Sequence, residues 1–216
     1  MENETARPVV VPVPEANIAL PGELIMPENP KGLVIFAHGS GSSRMSPRNR
    51  FVAGELRRAG FATLLFDLLT EAEAMDRANV FDIPLLGSRV GHALAWADAE
   101  PAVQDLAVGL FGASTGAAAA LVAAADRPDV VAAVVSRGGR PDLAAEALPR
   151  VRAATLLIVG GADHGVIELN EAAYAALTSE ARLDIVPGAT HLFEEKGALE
   201  TVVERAAEWF GTHLRT

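Results

Sequence analysis

A serine between two glycines follows an apolar run near the middle of the chain. The pentapeptide Gly112-Ala-Ser-Thr-Gly116 fits the pattern G-x-S-x-G, in which a serine occupies a sharp turn between a strand and a helix. The turn lifts the hydroxyl clear of the sheet, and glycine two positions away on each side avoids overlap. A glycine-rich turn that only packs, or that holds a phosphate, is the alternative, but neither common nucleotide-binding motif is present. The pattern therefore predicts that Ser114 is a nucleophile.

A serine hydroxyl becomes a good nucleophile only when a base takes its proton. Among the five histidines, His191 and His213 lie well beyond Ser114 and both candidate acids, as expected for a triad in the chain order serine, acid, histidine. His191 lies in a loop after the last apolar run, whereas His213 lies near the end of a terminal helical segment. We therefore predict that His191 is the general base.

Two aspartates could orient this histidine and stabilise its charged form. Asp163 follows an apolar run in the sequence Gly-Gly-Ala-Asp and agrees with the expected chain order. Asp142 follows the preceding apolar run, but Arg140-Pro-Asp142 also resembles the start of a helix, where an acid favours the N-terminal dipole. We predict that Asp163 is the acid, and Asp142 is the alternative.

Acyl transfer at a serine also needs backbone N–H donors around the developing oxyanion. One donor is expected at Thr115, directly after the candidate nucleophile. The other is expected in the loop His38-Gly-Ser-Gly-Ser-Ser43, which follows the first clear apolar run. In this loop we predict Ser40 as the donor, with Gly41 as the next candidate.

Two arginines follow predicted strands or their loops and could bind a substrate carboxylate. Arg44 follows the oxyanion loop, and Arg137 follows the fourth clear apolar run. A guanidinium can hold a carboxylate through two parallel hydrogen bonds. The alternative is that both arginines make structural ion pairs with the many acidic residues.

These candidate residues can meet only if the chain forms a mostly parallel sheet. Short apolar runs alternate with segments of helical periodicity, which predicts such a sheet with helices on both faces. Two N-terminal runs contain prolines and are predicted as antiparallel edge strands, at 9–13 and 17–26. Ligands bind at the carboxyl ends of parallel strands, which is where the candidate residues lie. The other predicted strands are 33–37, 62–66, 107–111, 130–135, 155–159 and 183–186, and the predicted helices are 47–58, 83–97, 115–125, 167–177 and 198–214.

Composition limits the class of protein and its partners. With 216 residues, half of them hydrophobic, the chain is predicted to fold as a single domain spanning 1–216. A net charge of −10 argues against nucleic acid and membrane surfaces as partners, and the absence of cysteine excludes disulfides and thiolate chemistry. No motif indicates a cofactor or a metal site, and no secretion signal is visible. No apolar run approaches the ~20 residues that are needed to span a bilayer. We therefore expect a cytoplasmic protein that acts on a small-molecule ester.

The set HGSGSS, GASTG, GGAD and GATHLF resembles the α/β-hydrolase superfamily across essentially the whole chain. Within it, the short chain and the stretch HGSGSSRMSPRN resemble the dienelactone hydrolase-like group, some of whose members are fused to phosphoribosyltransferase domains. The resemblance implies an α/β-hydrolase fold and a serine hydrolase. Dienelactone hydrolases proper use a cysteine nucleophile, so Ser114 favours general carboxylic esters over dienelactone. A thioesterase, a lactonase and a ligand-binding or sensor protein are the alternatives.

The spacing of the predicted elements also limits the size of any lid. Lid and cap domains in this fold usually follow the fourth of the clear strands, and here 136–154 can hold a short helix at most. We therefore expect no large cap domain, an open site and a preference for small esters. The irregular segment 70–82 could instead supply an apolar wall, through Val80 and Phe81.

Overall fold

An eight-stranded sheet forms the centre of the computed structural model, which describes residues 4–214. The strands are β1 (Thr5–Val13), β2 (Ile18–Met26), β3 (Leu33–Ala37), β4 (Ala62–Phe66), β5 (Val108–Ala113), β6 (Val131–Arg137), β7 (Ala154–Gly160) and β8 (Ala181–Val186). They lie in the order β1-β2-β4-β3-β5-β6-β7-β8. The β1–β2 and β2–β4 pairs are antiparallel and the other pairs are parallel, so the predicted mostly parallel sheet with an antiparallel N-terminal edge is confirmed.

Helices cover both faces of the sheet because its central strands are apolar on both sides. Every residue of β3, β4, β5 and β7 is buried, as is typical of strands inside a parallel sheet. The helices are α1 (Pro47–Arg58), α2 (Glu71–Ala74), α3 (Arg77–Val80), α4 (Ile83–Ala99), α5 (Thr115–Asp126), α6 (His164–Ala176) and α7 (Ala198–His213). Short 3₁₀ turns cover Pro14–Ala16, Pro141–Ala144 and Leu148–Arg150.

The helices α1 and α4 each begin at a residue whose side chain caps the helix. Ser46 accepts a hydrogen bond from the backbone N–H of Asn49 at 3.3 Å, and Pro47 follows it as the first residue of α1. Asp82 accepts a hydrogen bond from the N–H of Leu85 at 2.9 Å and caps α4 in the same way. These caps satisfy N–H groups that have no partner inside a helix.

The core has two parts, one on each face of the sheet. On one face, α4 and α5 pack over the sheet through Leu86, Val90, Leu94 and Leu121. On the other face, α1 and α7 pack over a cluster that includes Phe111 and Phe210. The ring centroids of Phe36 and Phe111 are 4.9 Å apart in this second part. The sheet is therefore a rigid support for the loops that leave its carboxyl edge.

The connection between β6 and β7 contains only two 3₁₀ turns, so no large cap domain is built there, as predicted. The segment after β4 differs from the prediction of an irregular stretch, because it forms α2 and α3. The helix α6 starts at His164, three residues before the predicted start. The first residues of this helix do not follow the apolar periodicity from which its start was predicted. Within residues 4–214, no helix combines the length and the apolarity needed to cross a membrane.

Candidate active site

Ser114 lies at a strained turn between β5 and α5. Its backbone angles are φ 52° and ψ −121°, a conformation that costs free energy for any residue other than glycine. The glycines around it are sterically required, because a Cβ at Gly112 would overlap the Cα of Ala117 and a Cβ at Gly116 would overlap the carbonyl oxygen of Ala37. The turn therefore presents the Ser114 side chain at the carboxyl edge of the sheet.

The structure brings Ser114, His191 and Asp163 into one chain of hydrogen bonds. The distance from His191 Nε2 to Ser114 Oγ is 3.3 Å, and the distance from His191 Nδ1 to Asp163 Oδ2 is 2.7 Å. Three different parts of the chain supply them, namely the end of β5, the loop after β8 and the end of β7. In the tautomer that fits this arrangement, Nδ1–H donates to Asp163 and Nε2 is free to accept the serine proton.

The alternative acid, Asp142, makes a different contact. Its carboxylate accepts hydrogen bonds from Nε and Nη2 of Arg140 at 2.8 Å and 2.7 Å. This bidentate contact raises the pKa of the Arg140 guanidinium. Asp163, by contrast, stands at the N-cap of α6 but makes no side-chain hydrogen bond to the helix, because its carboxylate faces His191. The aspartate predicted as the acid thus contacts His191, and the alternative aspartate contacts Arg140.

The oxyanion loop packs directly against the turn that holds Ser114. Thr115 is the first residue of α5, so its N–H has no partner within the helix. The N–H of Ser40 donates to Thr115 Oγ1 at 2.8 Å. The sequence predicted that the Ser40 N–H serves the oxyanion, whereas in this structure the N–H is held by the Thr115 hydroxyl. A substrate oxygen would have to share that N–H or displace the hydroxyl.

His38 fixes the start of the oxyanion loop. The backbone N–H of Leu68 donates to His38 Nε2 at 3.0 Å, which places the proton on Nδ1, where it faces the carbonyl oxygen of Gly39 at 3.0 Å. Burial lowers the pKa of His38 below its usual value, so the ring is neutral. The bond from Leu68 ties the loop after β3 to the loop after β4, and the bond to Gly39 lies within the first of these loops.

The two candidate arginines make different contacts within the protein. Arg44 lies at the site, but its backbone N–H and its guanidinium both donate to the carboxylate of Asp67. Arg137 is buried, with its guanidinium 5.8 Å from the centre of the Phe193 ring and Nη2 3.5 Å from Asn49 Oδ1. Burial and, to a smaller extent, the nearby positive charge of Arg48 together lower the pKa of Arg137 to about 10.

The strand position of Arg137 sets the face of the sheet on which its guanidinium lies. Side chains alternate between the faces of a strand, so residue 137 points to the same face as Val135, towards α1 and α7. A contact between this guanidinium and a substrate carboxylate stays a prediction.

A cavity of about 580 Å³ opens on the oxyanion-loop side of Ser114. Ser40 and Thr115 line it, while Ser114, His191 and Asp163 lie outside its lining. Val80 contributes to the wall, as the sequence allowed, but Phe81 is 48% exposed and does not. The segment with α2 and α3 therefore forms one wall of a pocket that borders the hydrogen-bonded serine.

Comparisons with known proteins identify the family and the fold. Residues 20–214 match the Dienelactone hydrolase family. The chain belongs to the dienelactone hydrolase family. It therefore has the α/β-hydrolase fold. A crystal structure of dienelactone hydrolase from Anabaena variabilis superposes with a TM-score of 0.95 at 56% identity, covering 98% of this chain and 99% of that one.

Other matches of this dienelactone hydrolase family member are longer or more distant. Proteins of two Mycobacterium tuberculosis strains, named as candidate phosphoribosyl transferases, are 58% identical over 214 residues and 99% of this chain. The chain spans only 47% of their length, about half. Est1E from Butyrivibrio proteoclasticus superposes with a TM-score of 0.81 at 17% identity, covering 95% of this chain and 98% of Est1E, which shows a shared fold.

Two carboxylates near the site were missed in the sequence. Asp67 directly follows β4, so the rule that strand ends carry functional groups could have found it. Glu195 accepts hydrogen bonds from the Thr190 N–H at 3.0 Å and the Thr190 hydroxyl at 2.6 Å, and the hydroxyl contact lowers the pKa of Glu195. Glu195 closes the loop that carries His191, and no periodicity or motif in the sequence marks that role.

Proposed function

We propose that this family member is a serine hydrolase that cleaves carboxylic esters through an acyl-serine intermediate. The observation that carries the proposal is the hydrogen-bonded chain from Asp163 through His191 to Ser114, whose serine sits in the strained turn. Each of the three side chains has the chemistry that its role requires.

In the acylation step, Ser114 Oγ attacks the ester carbonyl carbon while His191 Nε2 takes the hydroxyl proton. Asp163 holds the imidazole in the correct tautomer and stabilises the imidazolium that forms. The tetrahedral intermediate collapses when the bond to the alcohol oxygen breaks, and His191 gives its proton to that oxygen. The alcohol leaves and the acyl group remains on Ser114.

The negative charge on the carbonyl oxygen is stabilised by the N–H of Thr115 and by an N–H of the oxyanion loop, with Ser40 first and Gly41 second. The Ser40 N–H lies beside the nucleophile, and the substrate oxygen shares it with the Thr115 hydroxyl or displaces that hydroxyl. In deacylation, a water molecule gives its proton to His191 and attacks the acyl carbon, and the proton then returns to Ser114. The products are a carboxylic acid and an alcohol.

Thioesters and lactones undergo the same two steps, so a thioesterase or lactonase is the alternative within the same mechanism. A ligand-binding protein on this fold would need none of the three side chains in register. The hydrogen-bonded set favours an enzyme, because aligned nucleophile, base and acid have no function in simple binding.

The test combines a covalent probe with a substrate screen. A fluorophosphonate should label the wild-type protein at Ser114, and p-nitrophenyl acetate should be hydrolysed. Ser114→Ala should keep the fold and lose the labelling. Its turnover should fall on the order of 10⁶-fold. Esters, lactones and acyl-thioesters of matched acyl groups then rank the three substrate classes.

Ser136→Ala is the matched control. Ser136 is buried at the end of the neighbouring strand, and its hydroxyl makes no hydrogen bond within the described part of the chain. Its removal should leave labelling and turnover near wild type. If the Ser114→Ala protein kept a tenth of wild-type activity, the serine assignment would be wrong.

A further inference from the structure

The position of the cavity relative to the hydrogen-bonded set indicates which half of an ester it receives. This step depends on the proposed function. The leaving alcohol must lie next to His191, because that ring donates its proton. Ser40 and Thr115, which meet in a hydrogen bond beside Ser114, line the cavity, whereas His191 is not part of its lining. The group that stays on the serine, the acyl group, is the one that points into the cavity.

The size and surface of the cavity select the kind of acyl group. A volume of about 580 Å³ lies within the roughly 300–1,000 Å³ of ordinary small-molecule sites, which is far more than an acetyl group fills. Leu68, Leu69, Val80 and Leu86 supply an apolar lining. The cavity is therefore built for an acyl chain of several carbons, longer than the small esters expected from the sequence.

The charges in the cavity favour an uncharged acyl group. The guanidinium of Arg44 is paired with the carboxylate of Asp67, whose side chain is only 13% exposed. Glu71 adds a further negative charge to the lining. With the single lining guanidinium already neutralised, a carboxylate at the far end of the acyl group would meet net negative charge and lose its hydration.

One wall of the cavity depends on a buried ion pair. The helices α2 and α3 have four residues each, too few to be stable alone. Glu73 connects them to the core: its Oε1 accepts a hydrogen bond from Arg89 Nη2 at 2.7 Å, and its Oε2 accepts one from the Thr70 N–H at 2.8 Å. The backbone carbonyl of Glu73 also accepts a hydrogen bond from Asn79 at 3.0 Å.

Arg89 is the fixed end of this network. It lies within α4, and its side chain is only 4% exposed. Because a buried guanidinium without its carboxylate is costly, the Arg89–Glu73 pair resists separation of α2 from α4. Thr70, Ala74 and Val80, which line the cavity, are held in place through this contact.

We propose that the cavity is an acyl pocket for uncharged chains of several carbons, and that Arg89 is a positioning residue that sets this selectivity by fixing its α2–α3 wall. Arg89 does not touch the reacting atoms. Its loss should therefore change how well a long acyl group is bound and leave the chemistry on acetate intact.

The experiment measures kcat and KM for p-nitrophenyl acetate and hexanoate. Wild type should prefer hexanoate by about tenfold in kcat/KM, since each buried methylene adds binding free energy. Ala74→Leu and Val80→Phe, which fill the cavity, should remove that preference while acetate changes less than about threefold. Arg89→Met should raise KM for hexanoate with kcat on acetate retained, and Arg89→Lys should restore part of the loss.

Met75→Ala is the matched control, because Met75 belongs to the same segment but is 87% exposed and does not line the cavity. A hexanoate ester with a terminal carboxylate should be a poorer substrate than hexanoate itself, and equal rates would overturn the proposed preference for uncharged groups. If acetate and hexanoate fell in parallel in every wall variant, or neither changed, the acyl pocket would be refuted while the serine mechanism stood.

A wild-type protein that hydrolyses neither ester and resists the fluorophosphonate would contradict the proposed function instead. The pocket is then tested without turnover, by calorimetric binding of ethyl hexanoate to Ser114→Ala. Val80→Phe in that background should weaken binding about tenfold, and unchanged or undetectable binding in the parent protein would overturn the pocket as well.

Discussion

Single side chains determine the chemistry of this site through the partners they select. His191 has Asp163 on one nitrogen and Ser114 on the other, while Asp142, which occupies a comparable strand end, is held by Arg140. Both aspartates carry the same charge, so only the contact distinguishes them. Loss of each carboxylate should therefore have a different effect on the rate of hydrolysis.

We expect Asp163→Asn to lower kcat by about 10⁴, because an amide stabilises the wrong tautomer of His191. Asp142→Asn should lower it less than about tenfold, since it breaks a partly exposed ion pair with Arg140. Steady-state kinetics on p-nitrophenyl acetate, with circular dichroism to verify folding, make the comparison. The reverse order of effects would move the acid to residue 142.

His38 should make stability depend on pH. Its pKa is lowered in the folded protein by burial, so below the usual histidine pKa of about 6.5 the unfolded chain binds a proton that the folded chain does not. The free energy of unfolding should therefore decrease as pH falls from about 6.5 towards the lowered pKa. Above that window the full stabilisation is present.

Urea unfolding of wild type and His38→Gln between pH 8 and pH 5 measures this effect. The substitution should cost stability at pH 8, where the Leu68 N–H loses its imidazole acceptor, and the cost should shrink as pH falls. A cost that stays constant over the whole range would show that His38 has the same pKa in the folded and unfolded chains.

At the scale of elements, α4 and α5 must approach closely for the serine turn to sit correctly. Gly87 in α4 permits this contact, because a Cβ there would lie 2.8 Å from Val122 Cγ1 of α5. Gly91, one turn later in α4, has open space around it. The same helix thus contains one glycine required by packing and one that only weakens the helix.

Gly91→Ala should stabilise the protein by about 0.5–1 kcal/mol, since alanine restricts the unfolded chain and favours the helix. Gly87→Ala should destabilise it by about 1–3 kcal/mol, because α4 must move away from α5. Urea unfolding gives both values. Equal effects of the two substitutions would mean that the close helix contact contributes nothing.

For the whole molecule, the short β6–β7 connection leaves the site without a large cap, and the α2–α3 wall is anchored by Arg89. We therefore expect no rise in rate when an ester substrate forms micelles, because the site has no large lid that would open at the micelle surface. The measurement is the rate on p-nitrophenyl butyrate across its solubility limit. A jump at that limit would identify α2–α3 as a mobile lid.

The sequence alone predicted the parallel sheet, the antiparallel N-terminal edge, the lack of a large cap and the strand ends that carry Ser114, Asp163 and His191. These features depend on local patterns, namely apolar runs, helical periodicity and glycines that a sharp turn requires. The different partners of Asp163 and Asp142, the capture of the Ser40 N–H by Thr115 and the orientation of Arg137 belong to the tertiary structure. They depend on distances between residues far apart in the chain.

The pairing of Arg89 with Glu73 is another feature that depends on the tertiary structure. Arg89 lies in a helix whose apolar spacing was detected, yet the sequence contains no signal that a charged residue on it is buried. Burial of a charge is decided by what the rest of the chain places against it, here a carboxylate on a short helix that could not exist alone. Sequence patterns determine which residues lie at the carboxyl edge of the sheet. Packing between helices and strands determines which partner each of these residues contacts.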